Sequence, residues 1–134
     1  MTGDVLTLIE DDHREIERVL EHLRTRSGRR WLDIPLLTTL LIAHCRAEEA
    51  AIGGVAPVRC SFESHLEWAP VTAPADPRFE SWLTEVGTVI ERHIAELERE
   101  VLPGLRRDLG PEVRADLAET FRARRAEAFA ALHG

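Results

Sequence analysis

Leu37-Thr-Thr-Leu-Leu-Ile-Ala-His44-Cys-Arg-Ala-Glu48-Glu-Ala-Ala-Ile52 is the stretch on which the reading of this chain turns. Leu37, Leu41, His44, Glu48 and Ile52 recur at steps of three and four, which marks one face of an α-helix. Residues i and i+4 share that face, with Cβ atoms about 5–6 Å apart. His44 and Glu48 can therefore address one centre. The rest of the stripe is leucine and isoleucine, so the pair is aimed at an apolar interior. A carboxylate without a partner is costly there, and a cation would relieve the cost.

The same period extends in both directions. Leu6, Ile9, His13, Ile16, Leu20 and Leu23 form a first helical stripe, with Asp4 or Thr2 able to cap its start and Ser27-Gly28 to end it. The helix of His44 is expected to begin near Asp33, with Pro35 in its first turn, and to stop at Gly53-Gly54 and Pro57. Ser61 can cap a short third helix carrying Phe62, His65, Leu66 and Ala69, which Pro70 and Pro74 end. Asp76-Pro77 reads as a cap followed by proline at the first helical position. A fourth helix then runs to about Leu102, with Phe79, Leu83, Val86, Ile90, His93, Leu97 and Val101 on its stripe, and Pro103-Gly104 breaks it. Gly110-Pro111 opens a last segment with Val113, Leu117, Phe121, Ala128 and Leu132. No strand-like alternation stands out. Short connections between antiparallel helices imply an all-α, up-down four-helix bundle with an additional C-terminal helix. The 134 residues, without a low-complexity linker, suit a single domain over 1–134.

Composition narrows the partners. A formal net charge of -7 disfavours a nucleic-acid backbone, whose binding relies on clustered lysine and arginine. Arg122, Arg124 and Arg125 read as a solvated helix face. No apolar run is long enough for a membrane span, and Asp4, Glu10, Asp11 and Asp12 interrupt any apolar leader. Cys45 and Cys60 form neither a CxxC pair nor a disulfide-rich framework, so a reducing cytoplasm is the expected location. Adjacent helical residues point about 100° apart, so Cys45 beside His44 reads as a buried, inert thiol. Trp31, Trp68 and Trp82 read as core or rim packing. Neither a phosphate-binding glycine loop nor a Gly-x-Ser-x-Gly turn occurs.

Four of the six histidines, His13, His44, His65 and His93, fall one per helix and on the apolar stripe. A single histidine on such a face is usually a hydrogen-bonded core residue. Four on four stripes point to a shared centre, since facing helices pack about 8–10 Å apart. Imidazole with carboxylate suits iron, zinc or manganese better than calcium. Around His93 the carboxylate is ambiguous. Glu96, Glu98 and Glu100 are all near, and Glu98 lies about 140° around an ideal helix from His93. Glu10-Asp-Asp-His13 fits the Glu-x-x-His spacing of ferritin-like bundles, but only once. His22 and His133 carry no assigned role.

On these residues the chain resembles the hemerythrin-like, or HHE cation-binding, family. The resembling motifs are Asp12-His13-Arg14, His44-Cys-Arg-Ala-Glu48-Glu49, Ser64-His65, and Glu91-Arg-His93 leading to Glu98-Arg-Glu-Val-Leu-Pro103. They span most of residues 4 to 105. The resemblance implies a four-helix bundle around a non-haem di-iron site, two iron ions per chain, reacting with dioxygen, peroxide or nitric oxide. It implies His13, His44, His65 and His93 as nitrogen ligands and Glu48 as a bridging carboxylate. The family's second carboxylate follows the fourth-helix histidine by four or five residues. Leu97 holds the first of those positions, which leaves Glu98. Ala69 and Pro70 stand where some members carry a further histidine, and Gly53-Gly54 replaces an aromatic-proline ending. Fewer protein ligands leave open positions, which suits reactive chemistry more than reversible carriage. Two other classes of function fit the same residues. One is an oxidative enzyme using the iron on a small organic substrate; the other is a metal-free helical interaction module.

Overall fold

The computed structural model describes residues 3–25, 30–56, 58, 60 and 75–133. Every regular element among them is helical. Helix α1 is Val5–Thr25, α2 is Arg30–Ile52 and α3 is Arg78–Glu96. A π-helical turn, Leu97–Val101, joins α3 to the short α4, Leu102–Asp108, and α5 is Pro111–His133. The expected third helix, with Phe62, His65, Leu66 and Ala69, lies outside the described residues, as do Ser27-Gly28, Pro57 and Trp68. Among the described residues no helix is long and apolar enough to cross a membrane.

The helix starts follow ordinary capping chemistry. Asp4 Oδ1 accepts the Leu6 N–H at 2.8 Å and so caps α1. Asp76 does the same for α3, accepting from the Arg78 N–H at 2.8 Å, with Pro77 at a position that needs no donor. Pro111 opens α5 in the same way. Helix α2 already includes Arg30, ahead of the expected start near Asp33. Arg30 is an anchor the period does not reveal. Arg30 Nε donates to the Leu23 carbonyl at 3.1 Å and Nη1 to Glu80 at 2.6 Å, while the guanidinium lies 4.8 Å from the Phe79 ring centroid. Trp31, expected to pack, is 69% exposed beside that anchor, whereas Trp82 is buried.

The apolar stripes of α1, α2 and α3 are buried as read, and they form two clusters. One holds Ile16, Leu20, Leu23, Leu37, Leu41, Phe79, Leu83 and Ile90. The other holds Leu6, Ile9, Ala47, Ile52, Leu97 and Leu102, with Ala118 and Phe121 from α5. On each of α1, α2 and α3 the stripe histidine falls where the chain passes from one cluster to the other. Along α1 the apolar residues run from the second cluster to the first, and along α2 and α3 they run the other way. Helix α5 follows the sense of α1, with Phe121 in the second cluster and Phe129 against the first.

Two elements depart from expectation. Pro103-Gly104 does not end the helical run. The Leu102 N–H donates five residues back, to the Leu97 carbonyl, and the chain re-enters α-helix with Pro103 in the first turn of α4. A missing N–H costs little there. The run ends instead at Asp108. In α5 the buried face is Ala118, Phe121 and Ala128, while Val113 and Leu132 are exposed. Arg114 and Arg125 sit on the same three- and four-residue steps as those buried residues, so an apolar pattern alone draws this stripe wrongly. They pair with Asp4 at 3.0 Å and Asp12 at 2.8 Å.

Leu41 is fully buried in the first cluster. Leu41→Ala should cost about 2–5 kcal/mol of unfolding free energy, through lost transfer and a cavity. Urea unfolding followed by circular dichroism measures it, and a loss under about 1 kcal/mol would contradict this packing.

Candidate metal centre

Glu48 organises the centre. Its side chain has no solvent exposure. Oε2 accepts from His44 Nε2 at 2.6 Å, within the same helix. Oε1 accepts from His93 Nε2, on α3, at 3.0 Å. His13 Nε2, on α1, stands 3.6 Å from Oε2, outside hydrogen-bond reach, and is buried without a hydrogen-bond partner. Three helices thus present three imidazoles to one carboxylate, each through Nε2.

The opposite ring nitrogens explain that orientation. His44 Nδ1 donates to Asp12 Oδ2 at 2.9 Å. Asp12 is itself held by Arg125 of α5, with Nε 2.9 Å from Oδ2 and Nη2 2.8 Å from Oδ1. His13 Nδ1 donates to Glu98 Oε2 at 2.7 Å, and Glu98 also accepts from Arg14. Each of these histidines is backed by a carboxylate, and each carboxylate by an arginine. Such backing fixes the ring and commits the other nitrogen to a ligand. Phe121 of α5 closes the far side of His44, with ring centroids 5.9 Å apart.

The charges follow from this packing. Burial opposes a proton on His44, but the Asp12 and Glu48 carboxylates outweigh it and hold the imidazole up at about 9. Burial works against the Glu48 charge too, but the imidazoles of His13, His44 and His93 outweigh it and keep the carboxyl well below its ordinary range. Asp12 is likewise lowered, since His44 and Arg125 override its burial.

Donor atoms of His13, His44, Glu48 and His93 all lie within 4.8 Å of one another. An ion with bonds of about 2.0–2.2 Å to nitrogen and oxygen spans up to about 4.4 Å between opposite ligands. The side chains need close in by only a few tenths of an ångström. The orphaned His13 Nε2 supplies the strongest fit. A buried ring nitrogen whose partner nitrogen is tied down lacks only an acceptor of its lone pair.

Of the expected ligands, the structure brings His13, His44, Glu48 and His93 together. His65 lies outside the described residues. Glu98 faces inward, but onto His13 Nδ1 rather than into the four-residue group. The π turn that carries it has more residues per turn than an α-helix and offsets the rotation that five residues would give. Glu96 and Glu100 are exposed. Glu10 turns outward to Arg106 at 3.3 Å, which removes support from the ferritin-like spacing. Arg122 and Arg124 pair with Glu119 and Glu127 on their own helix, as a solvated face would.

Three features escaped the sequence reading. Asp12 stood in the Asp12-His13-Arg14 motif and among the charges that interrupt an apolar leader, with no role toward His44. Arg125 was grouped with its solvated neighbours, although its spacing from Phe121 and Ala128 placed it on the buried face. Cys45 is not the isolated inert thiol expected. It is disulfide-bonded to Cys60, with Cα atoms 5.8 Å apart. Fifteen residues separate the two, so no local motif announced the bond.

The elevated His44 proton gives a pH signature. Metal must displace it, so apparent zinc affinity should rise roughly tenfold per pH unit from 7 and level off near 9. Asp12→Asn removes the carboxylate behind His44; about 10–100-fold of zinc affinity should go with it, and the plateau should begin at lower pH. Chelator competition across pH reads both, and a flat pH profile with unchanged affinity in the variant would remove His44 from the centre.

No family model, no curated protein and no solved structure matches this chain.

Proposed function

We propose that this chain is a hemerythrin-like non-haem iron protein that binds two iron ions and reacts with dioxygen, peroxide or nitric oxide in the cytoplasm. In this reading it is an up-down four-helix bundle with an additional C-terminal helix, and His65 approaches the centre from the third helix. One observation carries the proposal. Three imidazoles from three helices converge through Nε2 on one fully buried carboxylate, and two of them are oriented from behind by separate carboxylates.

Bound iron would supply a redox-active centre with positions left open for a small oxygen or nitrogen ligand. The chain's residues divide the remaining work. His13, His44 and His93 bind through Nε2. Glu48 offers Oε2 toward His13 and His44 and Oε1 toward His93, which suits a carboxylate shared between two ions. Asp12 receives the His44 Nδ1 proton in a hydrogen bond and keeps the ring aimed, with Arg125 holding Asp12. Glu98 does the same for His13 and, in this reading, is the second carboxylate of the ligand set. The apolar clusters on both sides and Phe121 keep the centre from bulk water. The donor set also accepts zinc or manganese. A metal-free interaction module is the weaker reading, because it leaves His13 Nε2 buried and unsatisfied at a real cost.

Protein produced with iron should hold up to two iron ions per chain by elemental analysis. His44→Ala and Glu48→Ala should each remove most of it, and His65→Ala should lower it. Glu98→Ala should lower iron more than Glu96→Ala or Glu100→Ala, either as a lost ligand or through a misaligned His13. Full iron in His44→Ala and Glu48→Ala, with helicity retained, would overturn the centre. Parental iron in Glu98→Ala alone would leave a centre with one carboxylate.

A further inference from the structure

Cys60 lies outside any helix, yet its sulfur reaches the centre. Sγ is 3.9 Å from Glu48 Oε1 and 3.9 Å from His93 Nε2. Those are the two donors on the side of Glu48 away from His44. The same sulfur is bonded to Cys45, whose side chain packs in the first apolar cluster one residue from His44. The Cys60 backbone has its own anchor, since its N–H donates to Glu49 Oε1 at 3.1 Å. Among the described residues, Cys60 is therefore held beside the centre by more than the disulfide.

We propose that the Cys45–Cys60 pair is a redox latch on the metal centre: reduction frees Cys60 to bind the metal as a sulfur ligand between Glu48 and His93, and oxidation withdraws it. This rests on the metal-centre reading above. A zinc-type ion with a sulfur bond of about 2.3 Å and a nitrogen bond of about 2.0–2.1 Å separates sulfur from nitrogen by roughly 3.5 Å in tetrahedral geometry. The observed 3.9 Å is within a few tenths of that. A purely structural staple has no need to place its sulfur equidistant from two ligand atoms.

The chemistry balances in both directions. A dithiol donates two electrons and two protons; the Cys45–Cys60 S–S bond breaks, two thiols form, and the dithiol becomes a disulfide. Ligation then releases the Cys60 proton to solvent as the sulfur–metal bond forms. In reverse, the sulfur–metal bond breaks and Cys60 takes a proton back from solvent; hydrogen peroxide then accepts two electrons from the two thiols, the S–S bond re-forms and two waters leave. Peroxide, one of the reactants proposed for this centre, would thus change the metal's own ligand set. A disulfide used this way also accords with a reducing compartment, where such bonds are typically transient.

Cobalt(II) is the probe, because thiolate ligation gives an intense near-ultraviolet charge-transfer band that nitrogen and oxygen ligation does not. The full chain is reduced, freed of reductant without oxygen, and loaded with cobalt beside an oxidised sample. Binding is measured independently by equilibrium dialysis. The band should appear on reduction, vanish when peroxide restores the disulfide, and be absent from Cys60→Ala. Cys45→Ala, which leaves Cys60 free, should show it without reductant. Cobalt bound equally in both states, with no charge-transfer band in the reduced chain or in Cys45→Ala, overturns the latch and leaves the metal centre standing. No cobalt bound in either state overturns the centre, and the latch with it. The comparison of oxidised and reduced parent needs no variant to fold.

Discussion

The burial of the Glu48 carboxylate is the constraint around which the rest of the molecule is arranged. A charge taken out of water is tolerated only if donors surround it. Here the donors are ring nitrogens from α2 and α3, with His13 of α1 standing 3.6 Å off, and each ring brings demands of its own. His44 passes its second N–H to Asp12, and Asp12 passes its charge to Arg125. His13 passes its own to Glu98 and so to Arg14. Both chains run outward from carboxylate to arginine and end where that arginine meets solvent. A set linked in this way fixes the register of the helices that carry it, because sliding any one leaves several groups unpaired at once.

That constraint makes the C-terminal helix part of the centre rather than an appendage. Helix α5 contributes Arg125 to Asp12, Phe121 to the face of His44 and Arg114 to the cap residue Asp4. The half-buried arginines look out of place on an apolar face until their partners are counted. The π turn after α3 answers the same demand. In an unbroken α-helix Glu98 would point well away from His93, yet the widened turn brings it to His13 and resets the helix so that Leu102 and Leu105 still meet the second cluster.

The sequence made the apolar architecture legible and the polar architecture only partly so. Leu6 to Leu23, Leu37 to Ile52 and Phe79 to Leu97 repeat at helical steps, and burial follows those steps because the hydrophobic effect is non-directional. His44 and Glu48 were readable together because a fixed helical spacing joins them. Asp12 with Arg125, and Cys45 with Cys60, are joined only by tertiary packing, across 113 and 15 residues, so no spacing rule reaches them. Pro103 was read as a stop because proline rules assume an α-helix, whereas here the preceding π turn leaves no donor to lose. The role of Arg30 escaped for a similar reason, as its partners Phe79 and Glu80 are distant in sequence.

The placement of the centre along the helices also says which part of it can change. His13, His44, Glu48 and His93 each sit between apolar residues that belong to two separate clusters, so their helices are gripped on both sides of the ligand. Moving any of these side chains disturbs close-packed core, which resists small displacements strongly. Cys60 is different. It stands outside any helix and half-buried, packed against the first cluster and tied by its bond to Cys45 and its N–H to Glu49. Side chains carried on rigid helices move little, whereas the bond between Cys45 and Cys60 can break or form without shifting a helix, so in the metal-centre reading proposed above the ligand set would change at Cys60 at the least structural cost.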